Sequence, residues 1–155
     1  MNVSAQRKLI LLVEDSPDDV ALTLRAFRKL DFACDIEVAR DGVEALDFLF
    51  RLGAYAAHPR LSEPVLILLD LKLPKLDGLE VLRQLRRDSW GCAIPVIVFT
   101  TSTEPADMLE SYRRGANSFI SKPVDSDAFF AAIAQVGNYW LYLNQLPVSG
   151  LVTGT

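Results

Sequence analysis

The sequence predicts an α/β domain: a five-stranded parallel sheet with helices on both faces. Three observations predict it. Five short apolar runs alternate with longer amphipathic segments, the pattern of repeated βα units. LILLV and VLILL are apolar at consecutive positions, as strands covered on both faces are. No repeat or linker interrupts the series, and 155 residues suffice for one such core without leaving room for a second. The expected organisation is an extension over 1–7, one domain over 8–146 and a flexible tail over 147–155.

Each element has its own signature. LILLV (9–13) is the first strand. SPDDVALTLRAFRKL (16–30) follows as a helix, with Ser16 as N-cap, Pro17 in the first turn and apolar residues at 20, 24, 27 and 30. CDIEVAR (34–40) is the second strand. DGVEALDFLFRLG (41–53) is a helix in which Asp41 and Glu44 are spaced as a capping box and Gly53 is the stop. A longer surface loop (54–64) leads to VLILLD (65–70), the most apolar run and hence a central strand. DGLEVLRQLRRD (77–88) is a helix with acids at its start and arginines towards its end, as the helix dipole favours. IPVIVFT (94–100) is the fourth strand, and the helix over 104–115 is stopped by Gly115. NSFIS (117–121) is a short fifth strand, and a single helix over 126–144 closes the domain.

Composition excludes several classes. Half of the residues are hydrophobic, so the chain folds rather than staying disordered. A net charge of -4 argues against a nucleic-acid-binding surface. No stretch approaches a membrane span, and the N-terminal apolar run is too short for a signal peptide. Cys34 and Cys92 are isolated and read as buried free thiols of a reducing compartment; with no span or signal peptide in view, the expected location is the cytoplasm.

Ligands in parallel sheets bind beyond the carboxyl ends of the strands. Here the first strand ends in Glu14-Asp15, the third in Asp70, the fourth in Thr100-Thr101, and the fifth runs into Ser121-Lys122-Pro123. Carboxylates, a hydroxyl and an ammonium converging on one edge describe a hard-cation site beside an anion site. Asp18 and Asp19, in the first turn of the first helix, are read as partners of the helix dipole. Glu14, Asp15 and Asp70 together would raise at least one pKa, a conflict that Mg²⁺ removes. Asp70, a lone acid ending an apolar strand, is the candidate nucleophile, accepting a phosphoryl group as an acyl phosphate. Lys122 and Thr100 would neutralise and hydrogen-bond phosphoryl oxygens.

VEDSPDD, LLDLKLPKLDGLEVL, IPVIVFTTS and ANSFISKPVD occur in the order and spacing of bacterial two-component receivers. The chain resembles the receiver domain of response regulators over roughly residues 8–144. The resemblance implies a flavodoxin-like fold, with strand order 2-1-3-4-5, and Asp70 as the phosphorylation site. It implies that Asp15 and Asp70 hold Mg²⁺ with the Lys72 carbonyl, that Glu14 holds a metal-bound water, and that Lys122-Pro123 is a cis peptide. Phe119 takes the aromatic switch position with Thr100; lacking a hydroxyl, it would switch by packing alone. Such a receiver is a signalling protein, not an enzyme in the ordinary sense, that promotes its own phosphorylation and dephosphorylation.

The loop GAYAAHPRLSEP and the ending NYWLYLNQLP are similar to stand-alone regulators that partner cyanobacterial phytochromes. The single histidine, His58, reads as an exposed loop residue, so the phosphohistidine donor is in trans: a sensor histidine kinase, of phytochrome type by this resemblance. Kinase recognition is expected, by analogy with the family, around Leu22, Ala26 and the loop after the fifth strand. No stretch is left for a DNA-binding domain, so output is expected through the domain's own surface. The last helix carries more apolar residues than one core stripe needs, among them Phe130, Tyr139, Trp140 and Tyr142, which marks a homodimer or partner interface. The sequence leaves open whether phosphate passes on to a histidine phosphotransfer protein. Alternatives are a receiver that docks without phosphorylation and an aspartyl-nucleophile phosphatase, which would need an acid where Lys72 stands. An FMN carrier of similar topology is disfavoured by the acids after the first strand.

Overall fold

The computed structural model describes residues 7–57 and 63–147. His58 and most of the tail lie outside the described residues. Five strands form one parallel sheet: β1 (Lys8–Val13), β2 (Cys34–Ala39), β3 (Pro64–Leu69), β4 (Val96–Thr100) and β5 (Ser118–Ser121). Their order, β2-β1-β3-β4-β5, is the expected one. The helices are α1 (Pro17–Lys29), α2 (Gly42–Phe50), α3 (Gly78–Arg87), α4 (Pro105–Arg113) and α5 (Ser126–Gly137).

The pleat divides the core between two layers, because successive side chains point to opposite faces. Leu11, Val13, Ile67, Leu69, Val96 and Val98 pack beneath Leu49 of α2 and Leu82 and Leu85 of α3. Ile10, Leu12, Leu66, Leu68, Ile97 and Phe99 pack beneath Phe27 of α1 and Phe129 and Ile133 of α5. The central strands β1, β3 and β4 are therefore apolar on both faces, whereas β2 and β5, at the sheet edges, carry Asp35, Glu37 and Ser118. The register aligns the exits from the sheet. Val13 lies opposite Leu69, Asp70 N–H donates to the Val13 carbonyl at 3.0 Å, and Lys122 N–H donates to the Thr100 carbonyl at 2.7 Å.

Most caps are the expected ones. The Ser16, Asp41 and Asp77 side chains accept from the N–H groups of Asp19, Glu44 and Glu80. Glu44 returns its bond to Arg40 N–H, one residue before the cap. α2 ends at Phe50, before Gly53, because Arg51 itself takes the left-handed conformation at φ 56°. β4 begins at Val96, since Pro95 has no N–H for the ladder and Gly91–Ala93 form a 3₁₀ turn.

The closing helix departs most from expectation. α5 stops at Gly137, and Asn138–Leu143 form a wider π-helical turn. A Cβ at Gly137 would lie 2.1 Å from the Phe32 ring, so glycine is what lets the two segments approach. Tyr142 lies 5.7 Å from Phe32 between ring centroids, and its hydroxyl accepts from Ala33 N–H. Lys8 Nζ donates to the Leu141 carbonyl at 2.7 Å. These contacts draw the turn against the ends of α1 and β2.

Arg86 fixes the opposite end of the sheet. Its guanidinium donates to the carbonyls of Gly91, Ile94 and Gly115 and to Asn117 Oδ1, tying α3 to the segments that enter β4 and β5. Burial among neutral acceptors lowers its pKa from the usual arginine value. β4 ends in Thr100, and β5 leads directly into Lys122. No helix among the described residues is long and apolar enough to cross a membrane. Both cysteines are free, but only Cys34 is buried; Cys92 is exposed in the 3₁₀ turn, against the expectation for it.

Candidate metal and phosphoryl site

Three strand exits converge at one point. Glu14 and Asp15 follow β1, Asp70 follows β3, and Lys122 follows β5. Glu14, Asp15 and Asp70 each offer a carboxylate oxygen, and those oxygens lie within 4.8 Å of one another. Glu14 is 3 % and Asp70 6 % exposed, whereas Asp15 faces solvent. Lys122, at 8 %, lies among them.

Its ammonium donates to Asp70 Oδ2 at 2.9 Å, to Asp19 Oδ2 at 2.9 Å and to Glu14 Oε2. Burial opposes the lysine charge, but these carboxylates outweigh it and hold the pKa above the usual lysine range. Burial pushes Glu14 up to about 7, opposed by the Lys122 hydrogen bond and reinforced by the charge of Asp70. Among the described residues the Lys122 ammonium thus stands in a cluster of four carboxylates, bonded to Glu14, Asp19 and Asp70, with Asp15 beside them. The excess of carboxylates over the ammonium leaves the cluster net negative, and their mutual repulsion favours a cation among them. The donor set is all oxygen and open to solvent at Asp15, which fits a hard divalent cation that keeps part of its water shell.

Thr100 is fully buried at the end of β4, and its Oγ1 accepts from Ser102 N–H at 3.3 Å. Among the described residues no group accepts the Thr100 hydroxyl proton, so it is free to donate to a ligand. Lys72 is exposed in the loop after β3, where its N–H lies 3.4 Å from Asp70 Oδ1. Phe119 pairs with Val98 in register, two residues before Thr100 on the same face of β4, and packs half-buried against the α2–α3 layer.

Three expectations need correction. The Lys122–Pro123 bond is trans, there being no cis peptide among the described residues. Trans is the favoured X–Pro isomer by about 0.5–1 kcal/mol, and Lys122 reaches all its partners in that form. Ala26, expected at a kinase-facing surface, is 1 % exposed on the core-facing side of α1 and can touch no partner; half-buried Leu22 borders a groove with Arg25 and Phe130. Asp19, read only as a partner of the helix dipole, is a ligand of the Lys122 ammonium. Its position in the first turn of the helix leaving β1 was the available signal, since that turn sits at the carboxyl edge of the sheet.

The apolar residues of the closing segment divide. Phe130 and Trp140 are half-buried against the α1–α5 layer, while Tyr139 and Tyr142 are 47 % and 57 % exposed. Beside them a groove of about 630 Å³ runs between α5 and β5, lined by Ile120, Ala132, Tyr139 and Trp140.

Comparison with known proteins agrees with this geometry. The family model for the response regulator receiver domain matches residues 10–134. The probable methanogenesis regulatory protein FilR2 of Methanothrix harundinacea is 42 % identical over 139 residues, 90 % of this chain and 87 % of that one. Response regulator Rcp1 of Synechocystis is 37 % identical over 142 residues, 92 % of this chain and 95 % of its own. The crystal structure of phosphorylated RcpA, a cyanobacterial phytochrome response regulator, superposes with a TM-score of 0.86 at 36 % identity, covering 92 % of this chain and all of that one. The Mn²⁺-bound form of Rcp1 gives 0.84 at 36 % identity, covering 91 % of this chain and 99 % of its own.

Proposed function

The chain belongs to the response regulator receiver domain family, and from that premise we propose that it is a cytoplasmic regulator phosphorylated on Asp70 by a histidine kinase in a Mg²⁺-dependent reaction. The observation that carries the reading is the meeting of Glu14, Asp15 and Asp70 within 4.8 Å, with the Lys122 ammonium 2.9 Å from Asp70.

In the proposed reaction an Asp70 carboxylate oxygen attacks the phosphorus of a phosphohistidine. The P–O bond forms as the P–N bond breaks, and the imidazole leaves with the bonding pair. Glu14, Asp15, Asp70 and the Lys72 carbonyl would hold the cation, which supplies positive charge to the phosphoryl oxygens. Lys122 supplies a second positive charge. Thr100 donates its hydroxyl proton to a phosphoryl oxygen. Donors fixed before the reaction cost no reorganisation when charge moves, which is the main contribution such a site makes. The same groups serve hydrolysis of the acyl phosphate, by which the receiver would reset itself. The reading makes the protein a phosphorylation-controlled signalling module rather than a metabolic enzyme.

Output follows from the neighbours of Thr100. A phosphoryl group that draws its hydroxyl inward would bias the packing of Phe119, two residues away in register, and so the surface of β5 and α5. The exposed Tyr139 and Tyr142, with the half-buried Phe130 and Trp140 of the same closing segment, form the proposed contact for a second copy or a target. The similarity to Rcp1 and RcpA supports a kinase of phytochrome type as the donor. Relay to a histidine phosphotransfer protein is the other output that this chemistry allows.

Thermal unfolding with and without ligand tests the reading. Mg²⁺ at a hundredfold its Kd should stabilise the wild type by about 2.7 kcal/mol, and Asp15→Asn should lose most of that gain. Beryllofluoride, which mimics a phosphoryl group on a carboxylate, should add a further Mg²⁺-dependent gain that is absent in Asp70→Asn. No response of the wild type to either ligand would contradict it.

A further inference from the structure

A lysine ammonium has three N–H donors, and in this structure Lys122 spends them on Glu14, Asp19 and Asp70. A phosphoryl oxygen can therefore be reached only if one of these bonds is released. Two of the three acceptors, Glu14 and Asp70, belong to the carboxylate cluster that fits a cation; Asp19 does not. Its backbone is fixed in the first turn of α1, where its N–H donates to the Ser16 hydroxyl, and its side chain is one-quarter exposed. Asp19 is thus the acceptor that can keep Lys122 when the other two turn to a metal.

We propose that Asp19 is a positioning residue that anchors the Lys122 ammonium, so that Glu14 and Asp70 are released to the cation and two N–H groups are freed for the phosphoryl oxygens. This rests on the phosphorylation reading of the same site. The role is one of competition. Without Asp19, Lys122 leans wholly on Glu14 and Asp70, and a cation must displace it from both. With Asp19, the ammonium has a resting place outside the metal's own ligands. The residue touches neither metal nor phosphoryl group and acts only through Lys122.

Mg²⁺ affinity of the unphosphorylated protein, measured by calorimetric titration, tests this in four chains: wild type, Asp19→Asn, Lys122→Met and the double variant. Asp19→Asn should weaken Mg²⁺ binding on the order of tenfold, as loss of a group supporting metal ligands does. In the Lys122→Met background the same substitution should change affinity by less than about twofold, the limit expected of uncoupled sites. Circular dichroism of each variant establishes that it is folded. Equal affinity of wild type and Asp19→Asn would overturn the proposal. So would an equal loss in both backgrounds, which would mean that Asp19 acts on the cation by its charge alone. A wild type that binds no Mg²⁺ would remove the phosphorylation reading and this inference together, an outcome distinct from the other two because the variants play no part in it.

Discussion

Lys122→Met is expected to slow Mg²⁺-dependent phosphorylation of Asp70 by roughly 100-fold, the usual cost of removing one preorganised donor to developing negative charge. Methionine keeps the length and the apolar stem of the side chain, so the buried site is not left hollow. What disappears is the ammonium that Glu14, Asp19 and Asp70 accept from in the cluster with Asp15. Removing one partner from a buried ion pair costs about 3–5 kcal/mol, because the remaining charge is uncompensated. The variant should therefore melt well below the wild type without metal, and Mg²⁺ should recover more stability in it than in the wild type. Calorimetry across a Mg²⁺ series, with phosphorylation rates from intact mass, checks both parts. A variant of wild-type rate would show that Lys122 takes no part in the chemistry.

Gly78→Ala is expected to destabilise the fold by about 3 kcal/mol, at the upper end of overpacking costs. Gly78 opens α3, and its N–H donates to the Leu71 carbonyl at 2.8 Å, closing the loop that leaves the site. A Cβ there would lie 2.2 Å from the Asp70 carbonyl oxygen and 2.7 Å from Leu71 Cα. Both are backbone atoms, which cannot rotate aside as a side chain could. The clash falls on the residue proposed to take the phosphoryl group, so the same substitution should weaken Mg²⁺ binding as well as lower Tm. Stability and affinity like those of the wild type would mean that the loop relaxes freely around Gly78.

Much of this was legible in the sequence, for identifiable reasons. The central strands, buried on both faces, are apolar in LILLV and VLILL, so these runs ended where the chain left the sheet, and the acids at their exits, Glu14, Asp15 and Asp70, marked the site. Helix starts were legible through Ser16, Asp41 and Asp77, since a cap is made within four residues of sequence. Contacts between distant segments were not. The π-helical turn depends on Gly137 meeting Phe32 and on Tyr142 reaching Ala33. The part played by Asp19 depends on Lys122, 103 residues away. Burial of Ala26 and exposure of Cys92 likewise depend on which neighbours cover them.

The central claim is that Asp70 carries the phosphoryl group. It is tested most directly by the intact mass of the wild type and Asp70→Asn after incubation with Mg²⁺ and acetyl phosphate, followed by hydroxylamine. A single phosphoryl adduct in the wild type alone, dependent on Mg²⁺ and removed by hydroxylamine, is the expected result. An adduct that persists in Asp70→Asn would place the phosphoryl group elsewhere. Absence of an adduct from the folded wild type, with a histidine kinase donor as well as with acetyl phosphate, would contradict the account and leave a receiver that docks without phosphorylation.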